Sequence, residues 1–260
     1  MTDFENEVGT RLFDRSPQGV TLTNEGMELL VHAERIEHEA QTILARVGGQ
    51  EALLSGVVRV AAPEAVGSFL VTPAIGEFRM EHPKIIIELV PGTRQVSLSR
   101  HDVDIVITNQ QPRRGRMFVS RLAELNLGLY GSKAYLERRG LPQTTADLRG
   151  NDFVGLIDDN AQNEDAAALG QFLDQPHWTF RSSSMIFIQN AVSAGIGLGL
   201  LHGFAARRDP ELVQVLPDLV SPRQTYWTLV HADLRRVPRI RAVIRFLHQI
   251  VRAKLGQPRV

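Results

Sequence analysis

The sequence predicts an α/β fold entered through one long helix. Three patterns carry that expectation. Apolar residues recur at spacings of 4, 3, 4, 3 and 4 from Leu29 to Val47. From Gly56 onward, short apolar runs alternate with helical stretches. That alternation occurs twice, as two strand–helix–strand units. Alternation of this kind implies a parallel sheet with helices on both faces. Two such units imply two lobes, with a cleft at the carboxyl ends of their strands.

The first 22 residues are short and punctuated. Ser16-Pro17-Gln18-Gly19 is turn chemistry, with Pro fixing φ and Gly permitting φ > 0. Val20-Thr21-Leu22 alternates like a strand, so a two-stranded flap with a polar tip is expected. Thr23 caps the following helix, with Glu25 and Glu28 placed favourably in its first turn. That helix is expected to end at Gly48-Gly49. Its apolar seam is Leu29, Ala33, Ile36, Ala40, Ile43 and Val47, surrounded by Glu, Arg, His and Gln. Such a heptad seam calls for a partner helix, so these six residues are the dimerisation candidates. The alternative is that the seam packs on its own domain.

Beyond Gly56, Val57 to Ala62 reads as a strand, Pro63 to Gly67 as a turn and Ser68 to Glu81 as a helix stopped before Pro83. Ile85 to Val90 is a buried strand, Arg94 to Arg100 a short helical stretch and Val103 to Ile107 a third strand. The second unit runs through strands at Leu125–Tyr130 and Phe153–Ile157, with a helix at Lys133–Arg139 between them. It continues with a strand at Trp178–Phe180, a helix at Ser183–Ala194 and a Gly-interrupted strand at Ile196–Leu201. Tyr226–Val230 is one more strand and Arg236–Leu255 a closing amphipathic helix.

Composition narrows the function classes. The 260 residues carry 29 Lys+Arg against 29 Asp+Glu, and 22% charged is too low for a disordered chain. With no cysteine there is no disulfide scaffold, thiolate metal site or Cys nucleophile. The acidic, polar start Met1 to Thr10 does not read as a secretory leader. No run of 18 apolar residues predicts a membrane span, so a cytoplasmic location without membrane contact is expected. The charge is uneven: residues 1–55 stand at −6 and residues 56–260 at +6.

Catalytic signatures are missing. There is no P-loop and no Gly-x-Ser-x-Gly elbow. His32 and His38 lie six apart, which does not place them on one helix face for zinc. Gly195-Ile196-Gly197-Leu198-Gly199 follows a helix and reads as a helix-to-strand turn rather than a dinucleotide fingerprint. His101-Asp102-Val103-Asp104 reads as a turn and strand start rather than a metal site. The arginines of the Arg-rich end, Arg235, Arg236, Arg239, Arg241, Arg245 and Arg252, read as the solvated side of an amphipathic helix, with contact to nucleic acid as the alternative. The residues thus point to a non-enzyme with no cofactor and no metal.

One stretch resembles a known family. Gly9-Thr10-Arg11-Leu12-Phe13-Asp14-Arg15 is similar to the Gly-x-x-Leu-Phe-x-Arg stretch that LysR-type transcriptional regulators carry after the recognition helix. In that family a wing follows, and then Leu-Thr-x-x-Gly opens the linker helix. Leu22-Thr23-Asn24-Glu25-Gly26 matches in residues and spacing. The resemblance continues through Gly56–Val60, Phe78–Pro83, Asp104–Ile107 and Ala194–Leu201, so it covers nearly the whole chain.

The resemblance implies a three-part architecture. Residues 1–22 would be the remnant of a winged helix-turn-helix, 23–55 the linker and dimerisation helix, and 56–260 an effector-binding domain similar to periplasmic solute-binding proteins. Lobe I would comprise 56–124 and 229–260, and lobe II 125–228. Because only Met1 to Val8 precede the motif, the expectation is a head lacking its first helices, through a late-placed start codon or a true truncation. The implied partners are operator DNA (given a complete head), a small-molecule effector and further copies of the chain, as homodimer or homotetramer. The alternative is a sensor module without DNA binding.

The resemblance also suggests site residues. Arg11, Arg15, Ser16 and Gln18 on the wing are DNA-binding candidates through phosphate or minor-groove contacts. Arg11 and Arg15 have a second reading, as partners of Glu5, Glu7 or Asp14 that only position the wing. For the effector, helix-start amides around Val66, Gly67 and Ser68, with Ala65, suit an anionic group. Facing them would be Thr108-Asn109 and Ser182-Ser183-Ser184. The serine run could equally be only a helix cap. Glu64, pointing inward, would disfavour a carboxylate effector.

Overall fold

The computed structural model describes residues 2–16, 19–47, 54–92, 103–110, 117–157, 169–170, 175–232 and 234–255. Helix α1 spans Thr2–Val8 and leads into a hairpin of β1, Phe13–Ser16, and β2, Gly19–Leu22. Ser16 pairs with Gly19, so the flap has the two-residue connection its turn residues suggest. Helix α2 then runs Asn24–Val47. Thr23 caps it as expected: its Oγ1 accepts from the Gly26 amide at 2.9 Å.

The body opens with β3, Gly56–Ala62. The helix expected from Ser68 starts four residues earlier, with α3 at Glu64–Val66. Pro63 caps it in an extended conformation, and the Gly67 amide already donates to the Pro63 carbonyl at 2.9 Å. The helix continues as a π-turn at Gly67–Val71 and a 3-10 turn at Thr72–Ala74, then as α4 at Ile75–Glu81. Pro73 explains the irregularity. It has no N–H to donate to Phe69, so the regular ladder cannot pass through it. Thr72 instead reaches back five residues to the Gly67 carbonyl, by its amide and by Oγ1 at 2.9 Å.

Strands β4, Ile85–Pro91, and β5, Ile105–Thr108, flank β3 in parallel. The helix expected at Arg94–Arg100 lies outside the described residues. Strand β6 is long, Met117–Ser132, and is followed by α5, Lys133–Arg139. Strands β7, Asp152–Leu156, and β8, His177–Ser182, precede helix α6, Met185–Ser193. Then come β9, Leu198–His202, α7, Gly203–Ala206, and β10, Leu212–Val215. Finally β11, Arg223–His231, leads to α8, Pro238–Leu255.

The sheet order is β4-β3-β5-β11-β6-β9-β7-β8, with β10 on β6. The expected all-parallel sheet is corrected to a mixed one. Strand β11 runs antiparallel to both β5 and β6, and β6 antiparallel to β9 and β10. Helix crossovers enforce parallel pairing only between the strands they join. β6 and β11 carry the chain from one half of the fold to the other and obey no such rule.

Two cores result. The first gathers Val60, Ile105, Ile107, Leu125, Tyr226, Ile240 and Phe246. The second gathers Leu127, Leu129, Tyr135, Phe153, Leu198, Leu200 and Val220. They divide between Leu125 and Leu127 on the outgoing strand and between Val220 and Tyr226 on the return. We therefore propose lobe boundaries slightly beyond 124/125 and slightly before 228/229. Helix α8 buries Ile240, Leu247 and Val251 in the first core, with Val237 just ahead of it, and exposes Arg241, Arg245 and Arg252, the amphipathic arrangement read from its sequence.

Candidate functional site: a cleft between the lobes and an N-terminal wing

The carboxyl ends of β3 and β5 deliver α3 and Thr108 to one edge of the first lobe. In the parallel register Ala61 lies opposite Val106, so Pro63 and Thr108 each follow two residues after the last pair. The second lobe answers with the start of α6. Ser184 caps that helix, accepting from the Phe187 amide at 3.3 Å, while Ser182 Oγ accepts from the Ser184 amide at 3.1 Å. The Glu64 carboxylate crosses the cleft to this cap. Ser184 Oγ donates to Glu64 Oε1 at 3.0 Å and Oε2 at 2.8 Å, and the Ile186 amide donates to Oε2 at 3.4 Å. An acidic side chain at a helix start meets free amides and the positive end of the helix dipole.

A second contact joins the lobes further along. Pro73 frees the Phe69 carbonyl, and Arg208 Nη1, just after α7, donates to it at 3.4 Å. Phe69, Leu70, Phe204, Arg207 and Arg208 enclose a cavity of about 170 Å³ there. The sequence reading missed both arginines and α7. Nothing in periodicity marks a four-residue helix, although Pro73 was a visible sign of a helix break.

The expected effector residues are placed unequally. Ala65 and Val66 turn their side chains into the protein interior, so they offer backbone only. The amide of Gly67, expected to be free, is taken by Pro63 O because the helix starts earlier than supposed. Ser68 is exposed. Thr108 Oγ1 accepts from the Gln110 amide at 3.0 Å, and Asn109 is half-buried beside it. Ser183 is exposed, whereas Ser184 faces the first lobe. Across the cleft, Ser184 is the predicted residue with a hydrogen bond to the other lobe, and its partner there is Glu64.

Below the cleft, where β9 pairs with β6, His202 is buried. Its Nε2 lies 2.9 Å from Tyr226 Oη, which in turn donates to Gln224 Oε1 at 3.1 Å. Tyr226 therefore accepts from His202, which fixes the neutral imidazole with its proton on Nε2. His202 Nδ1 has no hydrogen-bond partner. Burial pushes the imidazole down to about 4. Tyr130, next to the same strand pair, is pushed up by burial, partly offset by Arg207.

The wing is tied to its neighbours through the backbone. Glu5 Oε1 accepts from the amides of Leu12 at 2.8 Å and Phe13 at 3.1 Å. Thr23 joins the wing to α2: its amide donates to Leu12 O at 3.0 Å and its Oγ1 to Arg11 O at 2.8 Å. Gly26 packs so closely that a Cβ there would collide with the Leu12 carbonyl, a structural reason for glycine at the end of Leu-Thr-x-x-Gly. Among the wing candidates, the side chain of Arg11 is exposed. The side chains of Arg15 and Ser16, and all of Gln18, lie outside the described residues. On α2, Leu29 is half-buried, while Ala33, Ile36, Ala40 and Ile43 are exposed, Ile36 at 70% and Ile43 at 58%. The side chain of Val47 lies outside the described residues. Among the described residues, nothing covers Ile36 or Ile43.

Known proteins share this arrangement. A family model described as the LysR substrate binding domain matches residues 51–252. The probable HTH-type transcriptional regulator LtrA of Klebsiella pneumoniae is 24% identical, over 96% of this chain and 83% of its own length. The HTH-type transcriptional activator TtdR of Escherichia coli is 25% identical, over 98% of this chain and 84% of its own. Among solved structures, that of CrgA, a LysR-type transcriptional regulator from Neisseria meningitidis, matches with a TM-score of 0.69 at 23% identity, over 96% of this chain and 86% of that one. The Vibrio cholerae virulence activator AphB matches with a TM-score of 0.60 at 21% identity, over 95% of this chain and 86% of that one. At these identities the structural likeness speaks for the fold.

Proposed function

The chain belongs to the LysR substrate binding domain family, and from that premise we propose that it is an effector-responsive transcriptional regulator. A small molecule enters between the lobes and changes how they pack. Helix α2 pairs with the same helix of a second copy through Leu29, Ala33, Ile36, Ala40, Ile43 and Val47. The paired helices hold two wings, whose Arg11, Arg15, Ser16 and Gln18 face operator DNA. Lobe packing thereby alters the spacing of the two wings, and a coupling of roughly 1–3 kcal/mol suffices for regulation.

The observation that carries this reading is the seam itself. The two lobes, connected by β6 and β11, meet through the polar contacts of Glu64 with Ser184 and of Arg208 with Phe69 O, and through Phe204 of the second lobe, which packs against the first core. Such a seam can open at the cost of two polar contacts and the packing of one half-buried ring. The reading assigns no turnover. Ser184 is engaged as a cap and as a donor to Glu64, and no histidine accompanies it among the described residues. No helix among the described residues is long and apolar enough to cross a membrane.

The test is selection of genomic DNA fragments by the purified protein, followed by footprinting with and without a small-molecule panel. A footprint of two half-sites whose spacing or occupancy shifts with one compound is expected. Binding no tighter to selected than to random fragments, in the presence of every compound that raises the melting temperature, would refute the reading.

A further inference from the structure

The lobes meet at the start of α6, where a helix of nine residues presents its first amides and the Ser184 hydroxyl. That is a seat for an anion, formed by free N–H groups and the positive end of a helix dipole. The seat already holds a carboxylate, and it comes from the opposite lobe. Both Glu64 oxygens are engaged by Ser184 Oγ, and Oε2 also takes the Ile186 amide. No described Lys, Arg or His forms an ion pair with Glu64, so its charge is answered by the helix alone. Glu64 reaches the seat because Pro63 ends β3 and sets the first residue of α3 at the mouth of the cleft.

We propose that Glu64 is a resident anion that latches the two lobes and determines which ligands the cleft accepts. The inference rests on reading this seam as the effector cleft, and it adds the chemical class. While Glu64 occupies the seat, a carboxylate ligand meets both a filled position and a like charge. The wild-type cleft therefore refuses small carboxylates. An effector of this chain binds beside the latch without a carboxylate directed at α6, or it works by drawing Glu64 away. Replacing Glu64 by a small neutral residue vacates the seat and converts the cleft into an anion site.

Two readouts on the full chain test this. The first is hydrogen exchange at α6. In Glu64→Ser the Ile186 amide should exchange about tenfold faster than in wild type, while Ala191 and Val192, deeper in the same helix, keep their rates. The second is melting temperature against acetate or benzoate, with chloride at equal ionic strength as control. Glu64→Ser should rise saturably, with half-saturation at least tenfold below any effect in wild type. Equal carboxylate response in the two proteins, or no gain in a folded Glu64→Ser, overturns the proposal. If Glu64→Ser does not fold, Glu64→Asp keeps the charge and withdraws the carboxylate by one methylene. Faster exchange at Ile186 is then expected, and wild-type exchange overturns the latch. Failure of DNA selection leaves both readouts intact, so loss of the regulator reading and loss of the latch are separable.

Discussion

Gly26→Ala should release the wing from α2 while leaving the two-lobed body intact. The new Cβ would collide with the Leu12 carbonyl oxygen and lie 3.0 Å from both the Leu12 carbonyl carbon and Leu22 Cδ2. Carbon atoms in contact prefer about 3.5–4.0 Å, so the loop before β1 must withdraw by about half an ångström or more. Two hydrogen bonds depend on its present position: Thr23 N to Leu12 O at 3.0 Å and Thr23 Oγ1 to Arg11 O at 2.8 Å. At roughly 0.5–1.5 kcal/mol net apiece, their loss costs about 1–3 kcal/mol. With every 1.4 kcal/mol worth tenfold, local opening should become about 5- to 150-fold more frequent. Hydrogen exchange at the Thr23 amide reads this directly. Both tryptophans, Trp178 and Trp227, belong to the body, so their fluorescence reports the melting of that part alone. A Thr23 amide exchanging at the wild-type rate would refute the close-packing argument, and a large shift in the tryptophan transition would show that wing and body unfold as one.

The remaining predictions concern the body and the dimer seam. Tyr135 Oη donates to Asn151 Oδ1 at 3.0 Å and accepts from the Asp152 amide at 2.8 Å, both at the base of the second core. Tyr135→Phe should therefore cost about 1–3 kcal/mol, a fall of roughly 2–10 °C in melting temperature by calorimetry. His202 is held below its ordinary 6.5, at about 4, by burial. Between those values the unfolded chain binds the proton and the folded one does not, so stability is full above pH 6.5 and declines towards pH 4. At 1.36 kcal/mol per pH unit the decline amounts to roughly 3 kcal/mol, and His202→Gln should flatten it in denaturant titrations at pH 7 and 5. Finally, Ile36→Asp with Ile43→Asp puts charge into the exposed seam of α2. Sedimentation velocity should show a smaller species for this variant at concentrations where wild type is associated, with the tryptophan melting curve unchanged.

Much of this fold was legible because burial has a period. The 4-3 repeat announced α2, Thr23 its start, and the two-sided apolar stripe of α8 its place in the first core. Strand direction was not legible, because an apolar run looks the same read either way. Only the spacing hints that β6 and β11 run against their neighbours: eight residues separate Thr108 from Met117 and seven separate Val215 from Arg223, too few for a crossover helix. The helix start at Glu64 was missed for a related reason. Pro63-Glu64-Ala65-Val66-Gly67 contains two turn formers, yet proline is also favoured at helix entries. Of the site, Ser184 and Glu64 were visible as residues, but their meeting across 120 positions depends on the packing of two lobes, which no local pattern encodes.

The weakness of the seam sets the scale of any response that passes through it. Glu64 to Ser184 is a hydrogen bond to a charged group and is worth about 1.5–3 kcal/mol where water is excluded. Glu64 is only half-buried, which places it at the lower end. Arg208 is exposed and donates at 3.4 Å, so its bond to Phe69 O adds a fraction of a kcal/mol. Together these two polar contacts contribute about 2 kcal/mol, to which the packing of Phe204 on the first core adds, and the sum stays far below what either apolar core contributes. A ligand shifts an equilibrium only by its differential affinity for the two states, and here a difference of that size brings them to equal population while about twice it inverts them. An interface stronger by several kcal/mol would demand a correspondingly more selective effector, and one without Glu64 would keep only Arg208 and Phe204 across the seam. The position of this single carboxylate therefore sets both the chemistry the cleft refuses and the amount of binding energy a signal must supply.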